Sequence, residues 1–77
     1  MTAEQLREVR EAVPFQPFRI HTTHGRMFYV PHRDYLSVSP DERAVCVWTD
    51  RAASVLNIAL IGELELNAAP NVPRPVG

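Results

Sequence analysis

Apolar and polar positions alternate through most of this chain with a period of two, and only the first stretch departs from that rhythm. Leu6, Val9 and Val13 recur at helical spacing, with Glu4, Arg7, Arg10 and Glu11 between them. Thr2 and Gln5 stand in the spacing of a capping box, in which each side chain satisfies the other's backbone N–H. Pro14 cannot join a helical ladder and disfavours helix at Val13. The pattern therefore predicts a helix over roughly residues 3–13, about three turns long. So short a helix must dock its stripe on something else.

From Phe18 to Val30 the period is two, and burial selects the hairpin register. With a two-residue loop at His24-Gly25, Ile20 would face Tyr29 and the apolar set would be split between two faces. With a three-residue loop, Thr23-His24-Gly25, Ile20 meets Phe28 and Phe18 meets Val30. All four then share one face, and Arg19, His21, Met27 and Tyr29 share the other. The three-residue loop is the expected one, with Gly25 left-handed. Ahead of this hairpin, Pro14-Phe15-Gln16-Pro17-Phe18 reads as a rigid connector whose two rings plug the helix onto the sheet. The competing reading, a proline-rich ligand for a partner domain, is the weaker one.

Pro31 interrupts the ladder. Leu36 and Val38 then point one way along Tyr35–Ser39, and Ser37 and Ser39 the other. Pro40-Asp41-Glu42-Arg43 is a turn. Ala44–Trp48 is the most strand-like run, with Val45 and Val47 on one side and Ala44, Cys46 and Trp48 on the other. A further strand is expected at about Ser54–Leu56. Asn57 is placed to cap a single tight helical turn through Ile58-Ala59-Leu60. In the last strand, Ile61 to Leu66, Leu64 and Leu66 are expected inward and Glu63 and Glu65 outward. The pattern stops at Asn67, and residues 68–77, with three prolines, read as a disordered tail.

The expected architecture is mainly β: one N-terminal helix and five short strands forming a single domain over 1–67. So many short strands are expected to curl into a small SH3-like or Sm-like barrel capped by the helix. A strongly bent, half-open antiparallel roll is the alternative.

Composition narrows the chemistry. A chain of 77 residues holds one domain with a modest core. The net charge is −1, there is no lysine, and Arg19, Arg26, Arg33, Arg43 and Arg51 are scattered singly. The basic stripe of a non-specific nucleic-acid binder is therefore missing. No run approaches the roughly 18 apolar residues of a membrane span, and the first residues are polar and acidic, unlike a signal peptide. A cytoplasmic protein is expected. Cys46 is the one cysteine, so no internal disulfide is available, and its apolar neighbours suggest a buried thiol in a reducing compartment.

No reaction is assigned by the sequence. His21, His24, His32 and Asp34 are near in sequence but do not converge in the expected register, so no metal site is read from them. The carboxylates are spread over turns and outward positions, and no nucleophile elbow or glycine-rich phosphate loop is present. The chain is expected to be a non-enzyme without cofactor or small-molecule substrate. One face stands out. Met27, Tyr29, Cys46 and Trp48, with Arg19 and His21 beside them, lie opposite the expected core. Tyr, Trp, Met and Arg are enriched at interface cores. Coverage by the helix is the first explanation, and contact with a second copy or another protein the next. The candidate interaction face is thus Arg19, His21, Met27, Tyr29 and Trp48.

Pro14-Phe15-x-Pro17-Phe18, Gly25-Arg26, Val30-Pro31-His32, Ser39-Pro40 and Asn57-Ile58-Ala59-Leu60-Ile61 together resemble a family of small uncharacterised bacterial proteins. That family carries Asp in the place of Asn57. The resemblance spans about 14–66 and brings no established activity. In order of elements the chain also resembles Sm-like proteins, which implies ring formation and RNA binding. It departs from them before the last strand, where a basic residue is typical and Leu56-Asn57 stands instead. The expected function is a self-associating interaction or assembly module, and the alternative is a ring-forming RNA-binding protein.

Overall fold

A computed structural model describes residues 1–67; the expected tail, 68–77, lies outside the described residues. The helix, α1, covers Ala3–Glu11 and starts with the expected capping box. The Thr2 hydroxyl accepts from the Gln5 backbone N–H at 3.2 Å, and the Thr2 N–H donates to Gln5 Oε1 at 3.0 Å. The helix ends two residues earlier than its sequence pattern suggests, and this changes the stripe. Leu6 is fully buried and Val9 half-buried, but Val13 lies beyond the last turn and is 87% exposed.

Six strands follow: β1 (Phe18–Thr22), β2 (Met27–Val30), β3 (Leu36–Val38), β4 (Ala44–Trp48), β5 (Ala53–Asn57) and β6 (Ile61–Leu66). They form two three-stranded antiparallel sheets, in the orders β2-β1-β6 and β3-β4-β5. The expectation of five strands in a closed barrel is corrected accordingly. Both breaks between the sheets have local causes. Between β2 and β3 the chain passes Pro31, which has no N–H for a ladder, and then a 3₁₀ turn over Arg33–Tyr35. Between β5 and β6 it makes a 3₁₀ turn over Ile58–Leu60. There the Asn57 side chain accepts from the Ala59 N–H at 2.9 Å, as its cap position requires.

The β1–β2 hairpin takes the three-residue-loop register: Phe18 pairs with Val30, Ile20 with Phe28, and Arg19 with Tyr29. Gly25 sits at φ +85°, and its N–H donates to the Thr22 carbonyl at 3.1 Å. Both sheets turn one apolar face inward. Phe18, Ile20 and Val30 from the first meet Leu36, Val45 and Val47 from the second, and all are fully buried. Leu6, Ile58 and Ile61 close the same core, with Phe15 half-buried against Phe18 at a ring separation of 6.0 Å. Leu64 is half-buried, whereas Leu66, expected inward, is 51% exposed, because the strand runs past the edge of the core.

Polar bonds fasten the helix to the β3 side. Arg10 Nε donates to the Leu36 carbonyl at 2.7 Å. Arg33 Nη2 donates to the Ala12 carbonyl at 3.1 Å and its guanidinium stacks over Phe15. This docking sets Arg7, Arg10 and Glu11 of the helix beside Ser37 and Val38 of β3.

Candidate interaction face

The five candidate residues come from three strands. Arg19 and His21 alternate on β1, and their cross-strand partners on β2 are Tyr29 and Met27. Period two puts all four on the outer face of the first sheet. Trp48 ends β4, opposite in parity to the buried Val45 and Val47, so it points outward from the second sheet. Met27 is 60% exposed, Trp48 49%, and Tyr29 half-buried.

The structure brings three of the five together. Met27, Tyr29 and Trp48 line one open groove of about 240 Å³, and no residue of α1 lines it. Coverage by the helix, the first explanation for this face, is therefore corrected. The helix turns Ala3 and Leu6 into the core and leaves the groove open.

Arg19 and His21 sit beside the groove in a polar arrangement of their own. Arg19 Nη1 lies 3.4 Å and His21 Nε2 2.9 Å from the same oxygen of Glu65 on β6. Glu65 is the cross-strand neighbour of Arg19, so sheet register brings these groups together. They frame the groove rather than line it.

Three contributors escaped the sequence reading. Tyr35 and Asp50 also line the groove. Tyr35 belongs to the 3₁₀ turn, with its N–H on the His32 carbonyl at 3.0 Å, and not to a strand start. Asp50 lies in the β4–β5 turn, which Thr49 holds shut: its N–H donates to the Ala52 carbonyl at 2.7 Å and its hydroxyl accepts from the Ala52 N–H at 3.2 Å. Val55, the partner of Cys46 across β4–β5, is 73% exposed and extends the apolar surface of the second sheet. Its signal was present, since an inward Leu56 forces Val55 outward. Cys46 itself is half-buried on this outer face, which corrects the expected buried thiol.

The histidines do not converge. His21 meets Glu65, His24 is exposed in the hairpin turn, and His32 is exposed with its ring 6.0 Å from that of Tyr35. Among the described residues no three metal-ligating side chains gather. No helix among them is long and apolar enough to cross a membrane. No family model, curated protein or solved structure matches this chain.

Proposed function

We propose that this chain is a small non-enzymatic interaction and assembly module that self-associates through the face of Met27, Tyr29 and Trp48, with Arg19 and His21 at its margin. The observation that carries this reading is the exposure of Met27 and Trp48 on one open groove, beside an exposed Val55. Large apolar side chains that share an exposed surface mark contact sites more often than isolated ones do. Their types are those that anchor interfaces. A second copy is the proposed occupant because a domain this small buries little of its own surface and gains support from association. β2 and β5 are both edge strands, and a copy placed on this face lies within reach of their unpaired backbone groups. The proposal places the protein in the cytoplasm, without cofactor or small-molecule substrate. Molar mass in solution, for the natural chain and for Trp48→Ser, tests it.

The second reading is an Sm-like or SH3-like arrangement that builds a ring and binds RNA. It is favoured by the helix followed by antiparallel strands, by the 3₁₀ turn before the last strand, and by Arg26 and Arg51, both exposed in turns. Binding of single-stranded RNA at low salt that weakens steeply as salt rises supports it. No binding at low salt ends it.

A further inference from the structure

β6 is the longest of the four edge strands, with six residues against five in β5, four in β2 and three in β3. It pairs with β1 on one side only. Its other side presents the row of N–H and C=O groups that serves as a template for an added strand. The two faces of β6 differ in chemistry. Leu64 and Leu66 pair with Ile20 and Phe18 and share their inward face. Yet Leu64 is only half-buried and Leu66 is exposed, so this face continues past the core. There it meets an open groove of about 320 Å³, whose lining includes Val9, Ala12 and Val13 of the helix end, Leu66, and Glu8. On the outward face stand Glu63 and Glu65. Glu65 is held by Arg19 and His21. Glu63 and Glu8 are exposed, and neither forms a salt bridge among the described residues.

Strand addition draws affinity from main-chain bonds and specificity from alternate side chains. A strand laid on β6 sets every second side chain toward Leu64, Leu66 and the groove, and the others beside Glu63. Charge decides what that strand is. The β6 of a second copy, paired antiparallel, opposes carboxylates to carboxylates, and like charges directly opposite destabilise a sheet. β2, β3 and β5 carry no charged residue, so no edge of this chain complements the acidic face. A segment with arginine or lysine at alternate positions does, and its remaining positions, if apolar, fill the groove.

We propose that the free edge of β6 takes a strand from a different protein, an extended segment in which basic residues alternate with large apolar ones. Its apolar side chains lie against Val9, Val13 and Leu66, and a basic one lies beside Glu63. The site is at the opposite edge of its sheet from β2, so it holds whether or not copies of the chain associate through Met27, Tyr29 and Trp48.

The experiment is a titration of the nitrogen-15-labelled full chain with the capped peptide Val-Arg-Leu-Arg-Val-Arg, followed by amide resonances. Saturable shifts are expected in 61–66 and in 9–16. Glu63→Arg should weaken binding about tenfold and should gain affinity for the same peptide with glutamate in place of arginine. Val13→Ser, at an exposed position where the fold tolerates change, should weaken it about fivefold. Two further peptides, N-methylated on one or the other alternate set of amides, separate strand addition from simple charge attraction. One set of N–H groups faces β6 and the other faces away, so one peptide should bind and the other should not. Binding by both or by neither overturns the proposal. So does equal affinity of the natural chain and Glu63→Arg, or the lack of any saturable shift up to about 1 mM peptide. Shifts centred on Met27 and Trp48 overturn it as well, because the peptide then sits at the other face. Light scattering on the free protein reads self-association separately, and a monomer there leaves the strand-addition result standing.

Discussion

His21 Nε2 lies 2.9 Å from Oε1 of Glu65, and Arg19 shares that oxygen at 3.4 Å. The two polar members of the candidate face are thus held by a strand of their own sheet. Their first role is to tie β1 to β6 across the outer surface, where Glu65 and Arg19 are partly buried. Partial burial makes this arrangement worth more than an ordinary surface pair. Glu65→Ala should lower unfolding stability by about 1 kcal/mol, read by urea denaturation. It should leave the groove of Met27 and Trp48 intact. A stability equal to that of the natural chain contradicts the role assigned to Glu65.

The early end of α1 separates two residues that the apolar pattern treats alike. Leu6 is fully buried and Val13 is 87% exposed. Leu6→Ala should cost roughly 2–5 kcal/mol, the range for deleting a buried leucine side chain. Val13→Ala should stay within about 0.5 kcal/mol. Comparable losses in thermal or urea melts would place Val13 back in the core.

Gly25 isolates a backbone effect. Its φ of +85° lies in the left-handed region, and a Cβ built on it meets nothing within 4 Å. Gly25→Ala should destabilise by about 1 kcal/mol through conformation alone. Gly25→Asn should cost less, because asparagine tolerates this region. If both substitutions are silent in denaturant titration, the hairpin does not depend on this conformation.

The 39–43 turn holds one carboxyl whose titration is displaced by its hydrogen bonds. The Asp41 carboxyl is held below its ordinary value of 3.8, first by the Ser39 hydroxyl, which donates to it at 2.5 Å, and then by the Arg43 backbone N–H at 3.1 Å. The folded carboxyl therefore binds its proton less readily than the unfolded one. Its contribution to stability is present above the ordinary carboxylate value and is lost as pH falls through the lower, folded value. Amide resonances of Ser39 and Arg43 should shift below pH 3.8, and Asp41→Asn should abolish that titration. An Asp41 titrating at or above the ordinary value contradicts the bonding described.

What the sequence disclosed follows from how local each feature is. The register of Phe18, Ile20, Phe28 and Val30 was legible because only one loop length puts all four on one face. The Thr2–Gln5 box and the Asn57 cap were legible because each closes within three residues. The division into two sheets was not. It depends on β6 returning to pair with β1, a contact between chain ends that no local pattern encodes. The candidate face divided for the same reason. Parity put Met27, Tyr29 and Trp48 outward, but only the packing of two sheets brought them to one groove and added Tyr35 and Asp50. Leu66 had the right parity and lacked a core to face, because burial depends on where the opposing sheet ends.

The central claim is that the Met27–Tyr29–Trp48 face joins copies of this chain. Light scattering on a sizing column, over a range of concentrations and at low and moderate salt, tests it most directly. A mass of two or more chains is expected for the natural protein and a shift toward one chain for Trp48→Ser, with unchanged far-ultraviolet circular dichroism. A single-chain mass at every concentration, or an oligomer indifferent to Trp48→Ser, contradicts it.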